Sequence, residues 1–406
     1  MRALRIAIIG AGPAGISAAD TLTTSGTPCS VDLFDRLPAP FGLVRFGVEG
    51  LRTVLSRPGV RLFGNVEYGR DLSLSDVRML YDAVIVATGC EGDRDLDIPG
   101  IDLPGSHGAA EFASGFGGLP VFPRNRTLDA AHVGVIGAGN VVLDVARVLA
   151  THADDRLRTE LPDAELPDTV HVFARRGLSQ AGFTPRELRE LDHVPGVEVV
   201  VDPEDVEFDE GCPAALREST QPLTVGRTLR DRRPAPRRLH LHLLADPVAV
   251  LGTDRVTGLR TERMQLDGSG GVRGTGVVTD HPLQAVYRAV GYIGSELPEL
   301  PFDRLTGTLP HSAGRVRDFD GQPVPGVYAV GRIKRGLIGH TRGCVQETVG
   351  SLLADTLAPA PVPDPAAVVE LLAERGVDYT TGEGRLRRDE HERKRIGEIA
   401  ELSRSA

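Results

Sequence analysis

Two glycine-rich turns, each closing a short apolar run, restrict the fold of this chain more than any other feature. The first reads IAIIGAGPAGISAAD, with Gly10, Gly12, Pro13, Ala14 and Gly15 after Ile6 to Ile9. The second lies 127 residues further on and reads VGVIGAGNVVLDVARVLA, with Gly137, Ala138, Gly139 and Asn140 after Val133 to Ile136. Glycines at this spacing let the backbone turn sharply off a strand and approach a pyrophosphate at the N-terminus of the next helix. The strand expected after the first helix ends VDLFD, placing Asp35 twenty residues beyond Gly15. A carboxylate there accepts from a ribose 2′-OH and repels a 2′-phosphate. The strand after the second helix ends VHVFARRG, so Arg175 and Arg176 hold the corresponding place. Paired guanidinium groups suit a phosphate. The first module therefore reads as an FAD site and the second as an NADPH site. A single glycine motif is weak, and the second has Val142 where a third glycine would stand. The repeated order of strand, turn, helix and charge carries the reading, and predicts an α/β fold with two Rossmann-like dinucleotide-binding domains.

A chain of 406 residues accommodates two domains of ordinary size. Aromatic residues make up 4% and Trp is absent, so the cores must rest on aliphatic side chains, as in parallel sheets covered by helices. A net charge of −10 argues against a general nucleic-acid binder. Cys29, Cys90, Cys212 and Cys344 form no CxxC pair and no zinc or iron–sulfur spacing, so no metal is expected. The start MRAL leads straight into a strand, and no apolar run approaches a membrane span, so the expected location is the cytoplasm.

Along the chain, LYDAVIVATG at 80–89 reads as another buried strand. LDIPGIDLPG at 96–105 reads as a crossing between domains. The FAD domain is expected over 1–105 and 311–406, with the NADPH domain inserted over 106–310. Within the insert, residues 198–290, including RRLHLHLLADPVAVL and GVVTDHPLQAVYRAVGY, read as an antiparallel elaboration with a turn at DGSGG. PGVYAVGRIKRG at 325–336 repeats the pattern of YDAVIVATG and predicts a strand returning to the FAD sheet. DTLAPAPVPD at 355–364 reads as a linker, and PAAVVELLAERG as a helix packed on the FAD domain.

In this order the motifs resemble those of the adrenodoxin reductase group of NADPH–ferredoxin reductases, flavoproteins of the glutathione-reductase superfamily. The matching stretches include GAGPAG at 10–15, PFGLVRFGV at 40–48, LFGNVEYGRD at 62–71 and LDIPG at 96–100. They continue with GAGNVVLDVAR at 137–147, ARRG at 174–177, FTPRELREL at 183–191, RAVGY at 288–292 and GRIKRG at 331–336. The resemblance implies FAD contacts for Ala14, Asp35, Leu43 and Val66, and for Gly331, Arg332, Gly339, His340 and Thr341 near the flavin ring. It implies NADPH contacts for Gly137, Ala138, Gly139, Asn140, Arg175, Arg176 and Glu187. Taken alone, Leu43 and Val66 would be core residues.

Three departures from the family pattern stand out. Similar proteins carry, after FGV, a segment with an Asp-His-Pro triplet whose His pairs with the residue that is Asp144 here; this chain runs from Val48 through EGLRTVLSRPGV without it. The residue after Gly331 is Trp in similar proteins and Arg332 here. The stretch after Gly339 is shortened to HTRGCVQETV. His340, Arg332 and Asp144 are thus the candidates for a catalytic role, although hydride transfer to a flavin needs no protein acid or base. The implied reaction passes electrons from NADPH through FAD to a ferredoxin-type iron–sulfur protein, with a cytochrome P450 as a further acceptor. An acidic ferredoxin needs a basic face, for which Arg227, Arg230, Arg232, Arg233, Arg237 and Arg238 are the candidates. Two alternatives stay open: an FAD enzyme of the same fold acting directly on a small molecule, and a non-catalytic nucleotide-binding partner.

Overall fold

The computed structural model describes residues 2–40, 53–90, 92–116, 130–151, 167–178, 180, 182–183, 185–194, 196–202, 214, 218, 237–336 and 341–381. The chain divides into two compact units, Met1–Gly92 with Tyr292–Ala406, and Asp93–Gly291.

The first unit begins with β1 (Leu4–Ile9), α1 (Pro13–Thr24) and β2 (Cys29–Asp35), followed by β3 (Val60–Gly64), α2 (Leu74–Leu80) and β4 (Ala83–Val86). The strands are near-continuous apolar runs because a parallel sheet is covered on both faces. Side chains of a strand alternate between faces, and β1 divides its residues accordingly. Ile6 and Ile8 join an apolar cluster with Ile16, Ala19 and Leu22 of α1, whereas Ala7 and Ile9 join another with Leu74, Val77 and Leu80 of α2. Ser73 and Asp76 form a reciprocal capping box at the start of α2.

The second unit contains β5 (Ser106–Gly108), α3 (Ala109–Phe116), β6 (His132–Ile136), α4 (Asn140–Ala150) and β7 (Thr169–Ala174). It continues with α5 (Pro185–Asp192), β8 (Val197–Val200), β9 (Arg237–Leu243), β10 (Ala245–Leu251), β11 (Gly258–Leu266), β12 (Val272–Pro282) and β13 (Ala285–Arg288). Six strands form a parallel sheet in the order β5-β13-β6-β7-β9-β8, and β10, β11 and β12 form a separate antiparallel sheet. Among the described residues, the antiparallel elaboration expected over 198–290 is therefore confined to 245–282. RRLHLHL pairs in parallel with β7 and β8, because its alternate residues Leu239, Leu241 and Leu243 are buried in the main sheet. AVYR of β13 likewise pairs in parallel, with β6. The DGSGG turn does join β11 to β12: Gly268 and Gly270 adopt positive φ, and the Asp267 carboxylate accepts from the N–H groups of Ser269 and Gly271 at 2.8 and 2.9 Å.

The chain then returns to the first unit through β14 (His311–Ser312), β15 (Arg315–Arg317), β16 (Pro323–Ala329), α6 (Arg332–Arg335), α7 (Thr341–Ala354), α8 (Ala367–Glu374) and β17 (Thr380–Thr381). β16 pairs in parallel with β4, Val327 opposite Val84, so the first unit is discontinuous in sequence. Its sheet runs β14-β15-β16-β4-β1-β2-β3-β17. Val345, Val349 and Leu352 of α7 pack with α1, and Val368 and Leu372 of α8 pack with α2.

The unit boundaries fall at 92/93 and 291/292 rather than at the expected 105/106 and 310/311. Packing is the reason. Leu96, Ile98, Ile101 and Leu103 join the second unit's cluster around Val250, Val256 and Leu283, and the N–H of Val250 donates to the carbonyl of Pro99 at 2.8 Å. Leu297, Leu300, Phe302 and Leu309 join a cluster of the first unit. Among the described residues, no helix is long and apolar enough to cross a membrane.

Candidate functional site

Each unit places its glycine turn at the C-terminal end of a central parallel strand, where open α/β sheets bind ligands. In the first unit Gly10 leaves β1 with φ +109°, and its N–H donates to the carbonyl of Phe34 at 2.7 Å. A Cβ on Gly10 would stand 2.5 Å from the carbonyl oxygen of Ala87, and one on Gly15 only 2.0 Å from that of Gly10. Both glycines are thus needed for the backbone's own close packing. Gly12 differs: a Cβ there would meet nothing within 4 Å. Gly12 caps α1 without a side-chain hydrogen bond, and Pro13 opens the helix. Room is therefore open beside Gly12 at the N-terminus of α1, a cradle suited to an anion.

Asp35 ends β2 beside this cradle. It is buried, and its Oδ2 and Oδ1 accept from the N–H groups of Ala11 at 2.7 Å and Leu37 at 2.9 Å. The carboxylate is therefore fixed against the glycine turn, as a ribose acceptor requires. The N–H of Val66 donates to the carbonyl of Asp35 at 2.9 Å, while its side chain is buried in the core. Gly331 adopts φ +73° after β16, and a Cβ there would lie 2.7 Å from Cβ of Ala14. The return strand thus closes on the first cradle and brings Gly331 against the turn. Arg332, exposed at the start of α6, places its guanidinium 5.0 Å from the ring centroid of Tyr292, within cation–π range. Thr341 opens α7. Leu43, Gly339 and His340 lie outside the described residues, as does the 41–52 stretch where the Asp-His-Pro segment is missing.

The second unit repeats the design. Gly137 adopts φ +144°, its N–H donates to the carbonyl of Phe173 at 2.9 Å, and a Cβ on it would stand 2.3 Å from the carbonyl oxygen of Ala289. Gly139 caps α4 with open space where its Cβ would be, and Asn140 is the first helical residue. Val142, in the place of a third glycine, is fully buried against Gly137. The N–H of Gly182 donates to the carbonyl of Ala138 at 2.6 Å, which ties the segment leading to α5 and Glu187 to the turn. Arg175 and Arg176 follow directly on β7, the neighbour of β6, and both are exposed. The Nε of Arg175 lies 3.3 Å from Oδ2 of Asp246. Asp144 lies on α4 and pairs with Arg147 at 2.7 Å. Partial desolvation and the carboxylates of Glu187 and Glu190 push its carboxyl above the ordinary range, with Arg147 opposing.

Two residues near these turns have weak sequence signals. Lys334 is 3% exposed, and its ammonium donates to Oε2 of Glu347 at 2.6 Å and to Oγ1 of Thr348 at 2.9 Å, anchoring α6 to α7. Its signal is rarity, since only Lys334 and Lys394 among 46 basic residues are lysine. Asp246 carries no motif. Of the proposed docking arginines, Arg237 and Arg238 lie on β9, with Nε of Arg238 3.5 Å from Glu198, and Arg227 to Arg233 lie outside the described residues.

Two anion cradles at the ends of parallel strands, one backed by a carboxylate and one by arginines, define a two-dinucleotide α/β oxidoreductase. No family model matches the chain. It is 38% identical over 388 residues to the NADPH-ferredoxin reductase FprA of Mycobacterium tuberculosis, covering 87% of this chain and 84% of that protein. It is 33% identical over 423 residues to the mitochondrial NADPH:adrenodoxin oxidoreductase of Bos taurus, covering 92% and 84%. The solved structure of M. tuberculosis FprA in complex with NADPH superposes with a TM-score of 0.79 at 33% identity, over 94% of this chain and 92% of that one. The chain belongs to the adrenodoxin reductase-type NADPH–ferredoxin reductases, a family of FAD- and NADPH-dependent enzymes.

Proposed function

We propose that this chain is an NADPH–ferredoxin reductase that delivers electrons singly to a ferredoxin-type iron–sulfur protein. The observation that carries the reading is the reversal of charge between two otherwise alike cradles, Asp35 behind the first and Arg175 with Arg176 at the second. Bound FAD supplies the chemistry that converts hydride uptake from NADPH into one-electron release. The chain's own residues bind and align. Gly10, Gly12 and Pro13 turn the chain so that the N–H groups of Ala14 and Gly15 at the start of α1 meet the FAD pyrophosphate, and Asp35 accepts from its ribose. Leu43, Val66, Gly331, Arg332, Gly339, His340 and Thr341 complete that site. Gly137, Ala138 and Gly139 turn the chain so that the N-terminus of α4, from Asn140, meets NADPH, Arg175 and Arg176 take its 2′-phosphate, and Glu187 completes the second site. Asp144 lies on the α4 surface, and His340 and Arg332 belong to the flavin side, where they tune rather than perform the transfer. The arginines between 227 and 238 form the docking face for an acidic ferredoxin. Action in the cytoplasm, with a cytochrome P450 as a terminal acceptor, belongs to the same reading.

Purified protein tests the proposal. It should be yellow, bleach with NADPH, and reduce cytochrome c only when ferredoxin is present. Reoxidation by a small molecule without ferredoxin would instead make it a direct oxidoreductase, and a protein that binds nucleotide without bleaching would make it a non-catalytic partner.

A further inference from the structure

Arg175, the proposed ligand of the NADPH 2′-phosphate, already faces an anion of the protein itself. Its Nε lies 3.3 Å from Oδ2 of Asp246, the second residue of β10. Asp246 stands directly opposite Glu262 across the β10–β11 ladder. Like charges in that relation are destabilising, and the ladder retains them beside a cation. Glu262 is partly compensated, since its Oε1 accepts from the N–H of Gly276 at 2.8 Å. Burial and Glu262 push the Asp246 carboxyl above its usual range, while Arg175 pulls it down and favours the charged form. The side chain of Asp246 is 25% exposed and that of Arg175 60%. The carboxylate thus holds the guanidinium from the protein side and leaves its outer edge to solvent, where a nucleotide phosphate would arrive.

We propose that Asp246 is a specificity-determining residue that acts as a built-in competitor, holding Arg175 with its carboxylate so that a 2′-phosphate must share or displace that ion pair. The proposal rests on the assignment of Arg175 to the 2′-phosphate. Its consequence is selective: nucleotides bearing the phosphate bind less tightly than the arginines alone would allow, and nucleotides lacking it are unaffected. An oxidised product that carries the same phosphate is released more readily for the same reason.

The test uses the FAD-loaded enzyme and calorimetric titration with 2′,5′-ADP and with 5′-AMP. Asp246→Asn keeps the size and shape of the side chain and removes the charge. It should tighten 2′,5′-ADP about fivefold, which is about 1 kcal/mol, and leave 5′-AMP within about twofold. Asp246→Ser serves as a second uncharged variant should the amide disturb folding. Arg175→Ala should weaken 2′,5′-ADP by itself, and in that background the gain from Asp246→Asn should shrink below about twofold. An Arg175→Ala variant that binds 2′,5′-ADP as well as wild type removes the assignment of Arg175 and the proposal with it. If Arg175→Ala weakens binding but neither Asp246 variant tightens it, or the gain persists without Arg175, the competitor role alone is overturned.

Discussion

Acid should destabilise the second unit well before its carboxylates titrate, because that unit packs together a group of half-buried imidazoles. His171 of β7 stands opposite His240 of β9, and alternation along β9 puts His242 on the same face. The rings of His171 and His242 stack at 5.3 Å, and Nδ1 of the first lies 3.0 Å from Nε2 of the second, so one must donate and the other accept. His281 of β12 packs 5.2 Å from His242 and shares a hydrogen bond with Thr261 at 3.0 Å, while His132 lies 6.4 Å from His171. The charged neighbours are Asp202, Arg238 and Glu198 around His240, and Asp280 beside His281. Burial, reinforced by the neighbouring rings, pushes His171 down to about 4 and His242 to about 3. In the unfolded chain both titrate near ~6.5. As pH falls from 7 the unfolded chain gains protons that the folded unit refuses, so stability is greatest above that value and is lost towards pH 3 to 4. Between pH 7 and 5.5 a fully shielded imidazole contributes a loss of about 1 kcal/mol, and the partly shielded pair together about 1–2 kcal/mol. His242→Phe keeps the ring stack on Phe173 (4.8 Å in the parent) and removes one titrating group. Urea unfolding of wild type and variant at pH 7 and 5.5 measures the difference, in which carboxylate contributions common to both cancel. Wild type should lose about 0.5–1 kcal/mol more than the variant over this interval. Equal losses in the two proteins would refute the argument that these imidazoles stay neutral.

Asp35→Ala removes the acceptor fixed by Ala11 and Leu37 and should weaken FAD retention by about 1.5–3 kcal/mol, read as flavin lost on gel filtration; unchanged flavin content counts against the ribose role. Replacing Arg175 and Arg176 together with Ala should raise the apparent NADPH constant at least ~10-fold and leave NADH nearly unchanged, and equal efficiency of wild type with both nucleotides would contradict this. If Arg332 lies beside the flavin as proposed, Arg332→Trp should shift the balance of the half-reactions towards ferredoxin, because a cation there would stabilise the anionic reduced form. In stopped flow, a limiting NADPH step with unaffected ferredoxin transfer would sink that idea. Asp76→Ala removes its half of the α2 capping box and the two hydrogen bonds from Arg375 of 2.8 and 2.9 Å, and should cost the first unit about 1–2 kcal/mol at pH 7. Arg375 and Ser73 overcome the effect of burial and hold the Asp76 carboxyl at about 2, so this loss should vanish as pH falls from about 4 through 2.

The sequence alone determined whatever rests on neighbours along the chain. A strand, a glycine turn and a helix are contiguous, so the residue order itself carries the positive-φ turns at Gly10 and Gly137, the close contact of Gly15 with Gly10 and the open approach at Gly12 and Gly139, whereas the carbonyls of Ala87 and Ala289 that crowd Gly10 and Gly137 come from strands distant in sequence. Asp35 and Arg175 were legible for the same reason: the next strand of a parallel unit ends beside the turn of the strand before it. The return of PGVYAVGR to the first sheet was legible because it repeats the pattern of the strand it joins. What the tertiary structure decided rests on partners distant in sequence. Whether RRLHLHL lies in a parallel or an antiparallel sheet depends on which strand accepts its hydrogen bonds, and its alternating pattern suits both. The unit boundaries depend on where Leu96 to Leu103 and Leu297 to Leu309 bury their side chains, and their Pro and Gly content says only that the chain turns. The contact of Asp246 with Arg175 and the convergence of the histidines of four strands have no local signature. Such pairs form because strand register sets side chains side by side across tens of residues, and register is settled only when the whole sheet packs.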